Sequence, residues 1–473
     1  MSRLIIVSNR VSLPRDRAAQ AGGLAVALRD VLKRTDGLWF GWSGEISEAT
    51  DVGPHLTKSG RVVYATMDLG AEVFDLYYNT YCNSTLWPLF HYRLGLVEIS
   101  RPAFEAYLQV NARFADHLTK LLRRDDIIWI HDYQLLALPA ELRRRGIRNR
   151  IGFFLHTPLP GPDVLTVLPG HRRLMESLAQ CDLVGFQTEN DLRGFRDYAI
   201  HEAGGRVAED GGVEMFGHRT RAGAFPIGID VGEFAATAAA AGGEAETRRL
   251  VESLGKRQLI IGVDRLDYSK GILNRIEAID ELLRAEPARR SGITFVQIAA
   301  PSRIDVRRYR NLKREIEGAA GRVNGRHAEI DWAPVRYLNR TIARRQLAGF
   351  YRVARVGLVT PLRDGMNLVA KEYVAAQREG DPGVLVLSRF AGAARQLSGA
   401  LIVNPFDAAE VAAALSKALD MPRDERKARW AGMMAGLRAA DLGNWRDGFL
   451  AALVDQRSSN GGELVQPLRG KVA

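Results

Sequence analysis

Cysteine is almost missing from this chain: Cys82 and Cys181 are the only two in 473 residues. That excludes a disulfide framework and a cysteine-based zinc cluster. Long apolar runs are missing as well. The longest, such as FFL, LIIV and GVLVL, fall far short of the roughly 20 residues that span a bilayer. The opening MSRLIIVSNR has too short an apolar run for a signal peptide, and Asn and Arg follow at once. A cytoplasmic protein without a membrane partner is therefore expected. No HExxH, DxD or CxxC occurs, so no metal site is expected. Neither a Walker loop nor a GxGxxG follows a strand, which argues against NTPase and dehydrogenase chemistry. No cofactor is expected.

Positive charge is in excess, 66 Lys and Arg against 55 Asp and Glu, but it is spread along the chain. Arginine pairs near 123, 144, 172, 289, 307 and 344 suit solvated helix faces. Without a basic arm or a stacking-aromatic module, nucleic acid is not the expected partner. Small anionic substrates are.

At this length a single core does not suffice, and two domains are expected. Short β-branched runs alternate with helical patterns throughout, the signature of parallel α/β sheets. LIIVS (4–8), IIWIH (127–131), IGFFLH (151–156) and LVGFQ (183–187) read as strands of the first half, with helices over 104–123 and 171–180. Residues 203–217 read as a Gly-punctuated hairpin, after which RAGAFPIGID leads out of the domain. Residues 236–247, alanine-rich and without an apolar stripe, follow the junction. The second half repeats the alternation at 259–265, 293–300, 356–360 and 383–388. The expected fold is α/β, two doubly wound Rossmann-like domains facing each other across a cleft. Their bounds are 1–232 and 233–444, and an amphipathic helix in 445–473 crosses back to the first domain.

Ligands in such sheets sit beyond the carboxyl ends of the strands, and there the polar clusters gather. TPLRDGMNLVAKEY (360–373) runs from a strand through a loop into a helix. Free amides at a helix start beside Gly365 suit phosphate oxygens, while Asp364 and Glu372 can accept pairs of hydroxyl hydrogen bonds. Diphosphate and polyol together suggest a nucleotide sugar, although an N-capped core helix would look the same. VDRLDYSKG offers Arg265 and Lys270 to a diphosphate, or simply to solvent, and APSRID offers Arg303. In the first half, a strand ends at Asn9 and Arg10, and Gly22 and Gly23 open a helical run. Trp42, Tyr78 and Trp87 could line a carbohydrate site or belong to the core. His131, Asp132 and His156 fall at neighbouring strand ends, where a carboxylate and an imidazole could serve as base and orienting donor; core histidines fit equally.

In order along the chain, SNR, GGL, WPLFHY, HDY, FFLHTPLP, GFQTEND, FPIGID, VDRLDYSKG, APSRID, RDGMNLVAKEY and LSRFAGAA closely resemble glycosyltransferase family 20, whose members are retaining enzymes with the GT-B fold. The resemblance covers nearly the whole length. It implies transfer of glucose from UDP-glucose to glucose 6-phosphate, giving α,α-trehalose 6-phosphate and UDP. Carried over to matching positions, it gives the acceptor phosphate to Arg10, Tyr78, Trp87 and Arg303, with Trp42 near that site. Asp132 holds the acceptor sugar and helps its attacking hydroxyl. His156 meets the transferring glucose through side chain and backbone, and Arg265 and Lys270 stabilise the departing diphosphate. Asp364 reads the glucose hydroxyls together with the amides of Gly365, Met366, Asn367 and Leu368, and Glu372 reads the ribose. Gly22 and Gly23 close over the donor, and backbone near Tyr337 and Leu338 holds the base. A homo-oligomer, dimer or tetramer, is expected. Gln134, Thr157 and Leu159 depart from the commonest pattern, which bears on substrate fit. The rival readings are transfer to glycerol 3-phosphate, a silent sugar-phosphate sensor and a pyridoxal-dependent phosphorylase; the last would bring a cofactor-binding lysine, which nothing here signals.

Overall fold

The computed structural model describes residues 3–13, 28–29, 31–32, 37–48, 53–303 and 306–455. Gly22, Gly23 and the tail beyond 455, all singled out in the sequence, lie outside them. Among the described residues, sixteen strands form two sheets. The first contains β1 (Leu4–Arg10), β2 (Gly37–Ile46), β3 (His55–Ser59), β4 (Val62–Leu69), β5 (Ile127–His131), β6 (Arg150–Phe154), β7 (Leu183–Phe186), β8 (Arg206–Val207), β9 (Val213–Met215) and β10 (His218–Ala224). Their order is β3-β4-β2-β1-β5-β6-β7-β10-β9-β8, parallel from β4 to β10 with antiparallel additions at both edges. The second contains β11 (Gln258–Arg265), β12 (Ile293–Ala300), β13 (Val335–Leu338), β14 (Val356–Val359), β15 (Val384–Ser388) and β16 (Leu401–Val403). It is parallel throughout, in the order β13-β12-β11-β14-β15-β16. That is the doubly wound order whose direction reverses between β11 and β14, and such a switch point opens a crevice for a ligand. The first sheet reverses likewise between β1 and β5.

Two expectations need correction. RAGAFPIGID leads out of the sheet only from Phe225 onward; its first four residues end β10, which is parallel to β7 and antiparallel to β9. Its arginines and small residues hid a strand that is held by main-chain pairing. The alanine-rich stretch belongs to a helix, α1 (Val231–Ala241), that does have a buried stripe of Phe234, Ala238 and Ala241. The stripe starts two residues before the segment considered, so its spacing was cut. This face packs on α2 (Arg344–Val353) and α3 (Leu368–Ala376).

The last described helix, α4 (Leu442–Val454), lies on the first sheet. Gly152 of β6 and Gly185 of β7 leave a slot for it: a methyl group at either position would fall 2.8 or 2.6 Å from the Phe449 ring. Phe449 stacks on Trp129 of β5 at 4.7 Å, and Trp445 packs beside it at 5.0 Å. Arg150 donates to the terminal carbonyls of Leu453 and Val454 at 2.9 and 2.7 Å. At the other end, Asp441 caps the helix by accepting the Asn444 amide at 2.8 Å. Asp441→Ala should therefore cost about 1 kcal/mol, read as a lower urea midpoint with turnover unchanged.

Candidate active site

Loops at the carboxyl ends of both sheets meet around a cavity of about 480 Å3. From the first half it is lined by Tyr78, Trp87, Asp132 and His156, and from the second by Arg265, Lys270, Arg303, Asp364, Met366, Asn367, Leu368 and Glu372. Arg10, Trp42, Leu338 and Gly365 do not border it directly. Arg10 sits over the Trp42 ring at 5.8 Å, and Trp42 packs against Tyr78 at 6.1 Å, so this pair lies one layer behind the wall. Leu338 ends β13, half-buried. Gly365 lies in the loop itself, against the backbone of His156.

Tyr78 arrives on an element that the sequence did not announce, a π-helix over Asp75–Leu86. Asn83 and Ser84 donate to the carbonyls of Tyr78 and Asn79, five residues back, at 2.8 and 3.1 Å. Side chains thus reinforce the wide turn. π-Helical geometry is rare, and where it occurs it is frequently at functional sites. Directly after it, Trp87 projects across the cleft. Its indole N–H points at Asp267 at 3.3 Å, and the guanidinium groups of Arg303 and Arg265 lie over its ring at 4.1 and 5.4 Å.

Asp267 is the residue that sequence reasoning most clearly missed. Its carboxylate is almost fully buried and accepts from Arg303 at 2.9 Å, the Tyr309 hydroxyl at 3.1 Å and the Ser269 amide at 2.9 Å. Burial alone would raise its pKa, but Arg303, Arg265 and Lys270 hold it at about 2. The charge is therefore permanent, and it orients Arg303, whose other arm reaches the Tyr133 hydroxyl at 3.3 Å. Asp267 stood in the quoted VDRLDYSKG motif, but only cations were sought there.

Asp132 follows β5 with a φ of +77°, a conformation rare outside glycine. The turn folds its side chain back to accept the amides of His156 at 3.1 Å and Thr157 at 3.3 Å. Its surroundings push its pKa up to about 6, burial outweighing those amides and Arg265. His156 is held at about 3 by burial and stays neutral. Both its ring nitrogens face protein: Nε2 lies 3.1 Å from His131 Nδ1, and Nδ1 lies 3.4 Å from the Gln187 amide. The Ile227 amide donates to Gln187 Oε1 at 3.0 Å, which turns the Gln187 NH2 toward His156. His156 Nδ1 is then the acceptor and Nε2 carries the proton. This fixed tautomer leaves no free ring nitrogen for the cavity that His156 lines.

In the second half, β11 leads to Arg265 and Lys270, and the loop after β14 leads to Asp364. Lys270 and Asp364 form a largely buried ion pair at the cavity wall, which brings together two residues that the sequence had assigned to separate parts of one ligand. Asn367 donates to Asp364 at 3.0 Å and its carbonyl oxygen caps α3 by accepting the Ala370 amide at 3.2 Å. Burial would raise Asp364, yet Lys270 and Asn367 keep it below the usual carboxylate range. An ammonium has three donors, so Lys270 can keep this partner and still offer N–H groups to phosphate. Two further residues support the site. Fully buried Arg275 donates to the Lys270 carbonyl at 2.9 Å and to Thr360 at 3.0 Å, while pairing with Asp264. Arg344 lies 3.4 Å from Glu372 and 3.0 Å from Glu233.

Among the described residues, no group of three or more His, Cys, Asp or Glu could hold a metal ion. No described helix is long and apolar enough to cross a membrane.

The glycosyltransferase family 20 model matches residues 2–455. A trehalose-6-phosphate synthase of Sinorhizobium fredii is 48% identical over 453 residues, covering 95% of this chain and 98% of the relative. Among solved structures, an α,α-trehalose-phosphate synthase (UDP-forming) from Burkholderia xenovorans, in complex with glucose-6-phosphate, aligns with a TM-score of 0.92 at 49% identity, covering 95% of this chain and all of that one. A chain from E. coli bound with UDP-2-fluoro glucose aligns with a TM-score of 0.91 at 47% identity, covering 96% and 99%.

Proposed function

The chain belongs to glycosyltransferase family 20, and we propose a reaction path through its cleft from that premise. It is a glycosyltransferase that moves glucose from UDP-glucose to glucose 6-phosphate, giving α,α-trehalose 6-phosphate and UDP. The observation that carries this is the convergence of Arg265, Lys270 and Arg303 on one cavity with Asp132, Tyr78 and Trp87. Cations for two phosphorylated substrates and polar groups for two sugars thus share one space.

In this reading Arg303, with Tyr78, Trp87 and Arg10 behind them, takes the acceptor phosphate. Asp132 binds the acceptor sugar and orients its attacking hydroxyl. Asp364 and the amides of residues 365–368 hold the donor glucose, and Glu372 holds the ribose. The base lies against backbone near Leu338, and Gly22 and Gly23 cover the donor. Donor and product are both α-linked, so configuration at the anomeric carbon is retained. A double displacement needs a carboxylate nucleophile about 5 Å from a second carboxyl group. The family resemblance puts neutral His156 rather than a carboxylate on that face. The acceptor hydroxyl therefore attacks from the face that the diphosphate leaves, through an oxocarbenium-like state. A diphosphate oxygen takes its proton while Arg265 and Lys270 steady the charge.

We place the acceptor domain at 1–232, the donor domain at 233–444 and the crossing helix in 445–473; that α4 rests on the first sheet supports the last. A cytoplasmic setting and a homo-oligomer, dimer or tetramer, complete the reading, and sedimentation reads the assembly directly. The test of function is a matrix of nucleotide-glucose donors against sugar-phosphate acceptors, following released nucleoside diphosphate and product mass. Release from UDP-glucose only with glycerol 3-phosphate would overturn the acceptor assignment.

Asp267 provides a sharper test of the acceptor end. Asp267→Asn removes the charge that orients Arg303 but keeps the shape. Hydrogen bonds to charged groups contribute about 1.5–3 kcal/mol, so KM for glucose 6-phosphate should rise roughly ten- to a hundredfold. KM for UDP-glucose should move by less than threefold. Equal rises in both would show a general loss of structure rather than of phosphate binding.

A further inference from the structure

A second cavity, of about 310 Å3, opens at the opposite edge of the second sheet. Gln258, Arg355 and Gly383, which border it, stand at the starts of β11, β14 and β15. The active-site loops leave the other ends of the same strands. Four arginines line this cavity, Arg257, Arg352, Arg355 and Arg378, against one acidic residue, Asp381. That carboxylate is already engaged, 2.6 Å from Arg426 and 3.6 Å from Arg355. Arg257 meets Asp331 at 3.0 Å. Arg352 and Arg378 have no carboxylate partner among the described residues.

Ordinary helix capping does not account for this concentration of charge. Arg352 donates to the Ala376 carbonyl at 3.1 Å, which uses one of five guanidinium donors. The ends of α2 and α3 add roughly half a negative charge each, so the wall stays net positive. Burial and the nearby Arg378 both draw Arg352 below the usual guanidinium range, as expected where like charges face each other without a counter-ion. The backbone around them is fixed. Gln377 is buried, donates to the Tyr351 carbonyl at 2.6 Å and accepts the Gly383 amide at 2.8 Å.

We infer that this cavity is a binding site for a small phosphorylated anion, gripped chiefly by Arg352 and Arg378 with Arg257 and Arg355 at its sides. Planar guanidinium forks match phosphate oxygens in pairs, and the volume admits a phosphate group with a small organic substituent. An occupant would bear on the trailing ends of α2 and α3, whose leading ends carry Arg344 and the Asn367 cap at the donor site.

Equilibrium dialysis with radiolabelled inorganic phosphate tests the inference on the full chain. Wild type should bind one phosphate more per chain than Arg352→Gln/Arg378→Gln, whatever the cleft itself binds. Unchanged turnover by the double variant would certify its fold. Arg378→Gln alone alters an exposed side chain and should weaken the same site about tenfold, as loss of a charged hydrogen bond implies. Equal phosphate stoichiometry in wild type and the double variant would overturn the assignment, as would an affinity indifferent to Arg378.

Discussion

Arg265→Ala is expected to lower kcat by about 10²- to 10³-fold and to leave both KM values within a few-fold of wild type. Preorganised donors aimed at charge that develops in the transition state contribute about 3–4 kcal/mol each. Arg265 is well suited to that role. It stands at the end of β11, is solvent-accessible in the cleft and faces the Trp87 ring. Among the described residues it makes no buried ion pair whose loss would damage the fold. A group that matters mainly when the diphosphate departs is lost from kcat rather than from KM. Lys270→Ala should lose turnover to a similar extent, with a different signature. Removing it strands the largely buried Asp364 carboxylate, so KM for UDP-glucose should rise as well. The two losses should not add in the double variant, because both groups neutralise the same leaving group. Steady-state kinetics of the three variants decides the matter. Turnover within threefold of wild type for both single variants would remove these residues from the leaving-group role.

How much of this was legible in the sequence depends on what carries each feature. β1, β5, β6, β7, β11, β12, β14 and β15 were readable because they appear as continuous apolar runs buried on both faces, whereas the parallel strands β4, β13 and β16 were not read. β2 contributed only Trp42 to the sequence reading, and β10 was hidden, its residues mostly charged or small. The site residues at strand ends were legible for a geometric reason. In a doubly wound sheet the carboxyl ends converge on the crevice, so a charged residue just past a strand has few other places to be. Arg265, Arg303, Asp132 and Asp364 all follow that rule.

Pairings across the chain were not legible. Nothing local to Lys270 announces Asp364, 94 positions on, and nothing near Trp87 announces Asp267, 180 positions on. The π-helix under Tyr78 was equally hidden, since its wide turn is held by Asn83 and Ser84 rather than by any periodic stripe. His156 shows the same limit. Its place at a strand end could be read, but the Gln187–His156–His131 chain that fixes its tautomer is built from three separate strands.

Backbone proximity is the most demanding of these long-range features, and Gly365 tests it. A methyl group built there would lie 2.0 Å from the His156 carbonyl oxygen, 3.0 Å from its carbon and 3.2 Å from the Thr157 carbon. All three are main-chain atoms, so no side-chain rotation relieves the clash. Retreat the other way is blocked too, because Gly392 packs on the opposite side of the loop, where a methyl group would be 1.9 Å from the Gly365 oxygen. Gly365→Ala must therefore displace either the loop or the strand end it touches. The first choice moves Asp364 and its ion pair with Lys270. The second moves His156 and Thr157, whose amides hold the Asp132 carboxylate. Either shift disturbs the relation between donor and acceptor groups, and a misplacement of about 1 Å can cost 10²-fold in rate. We expect kcat/KM to fall by about that factor for both substrates, with secondary structure retained by circular dichroism. Activity within threefold of wild type would mean that the two halves do not meet through this loop during turnover. The nucleotide-sugar site would then have to be assembled by a different approach of the sheets.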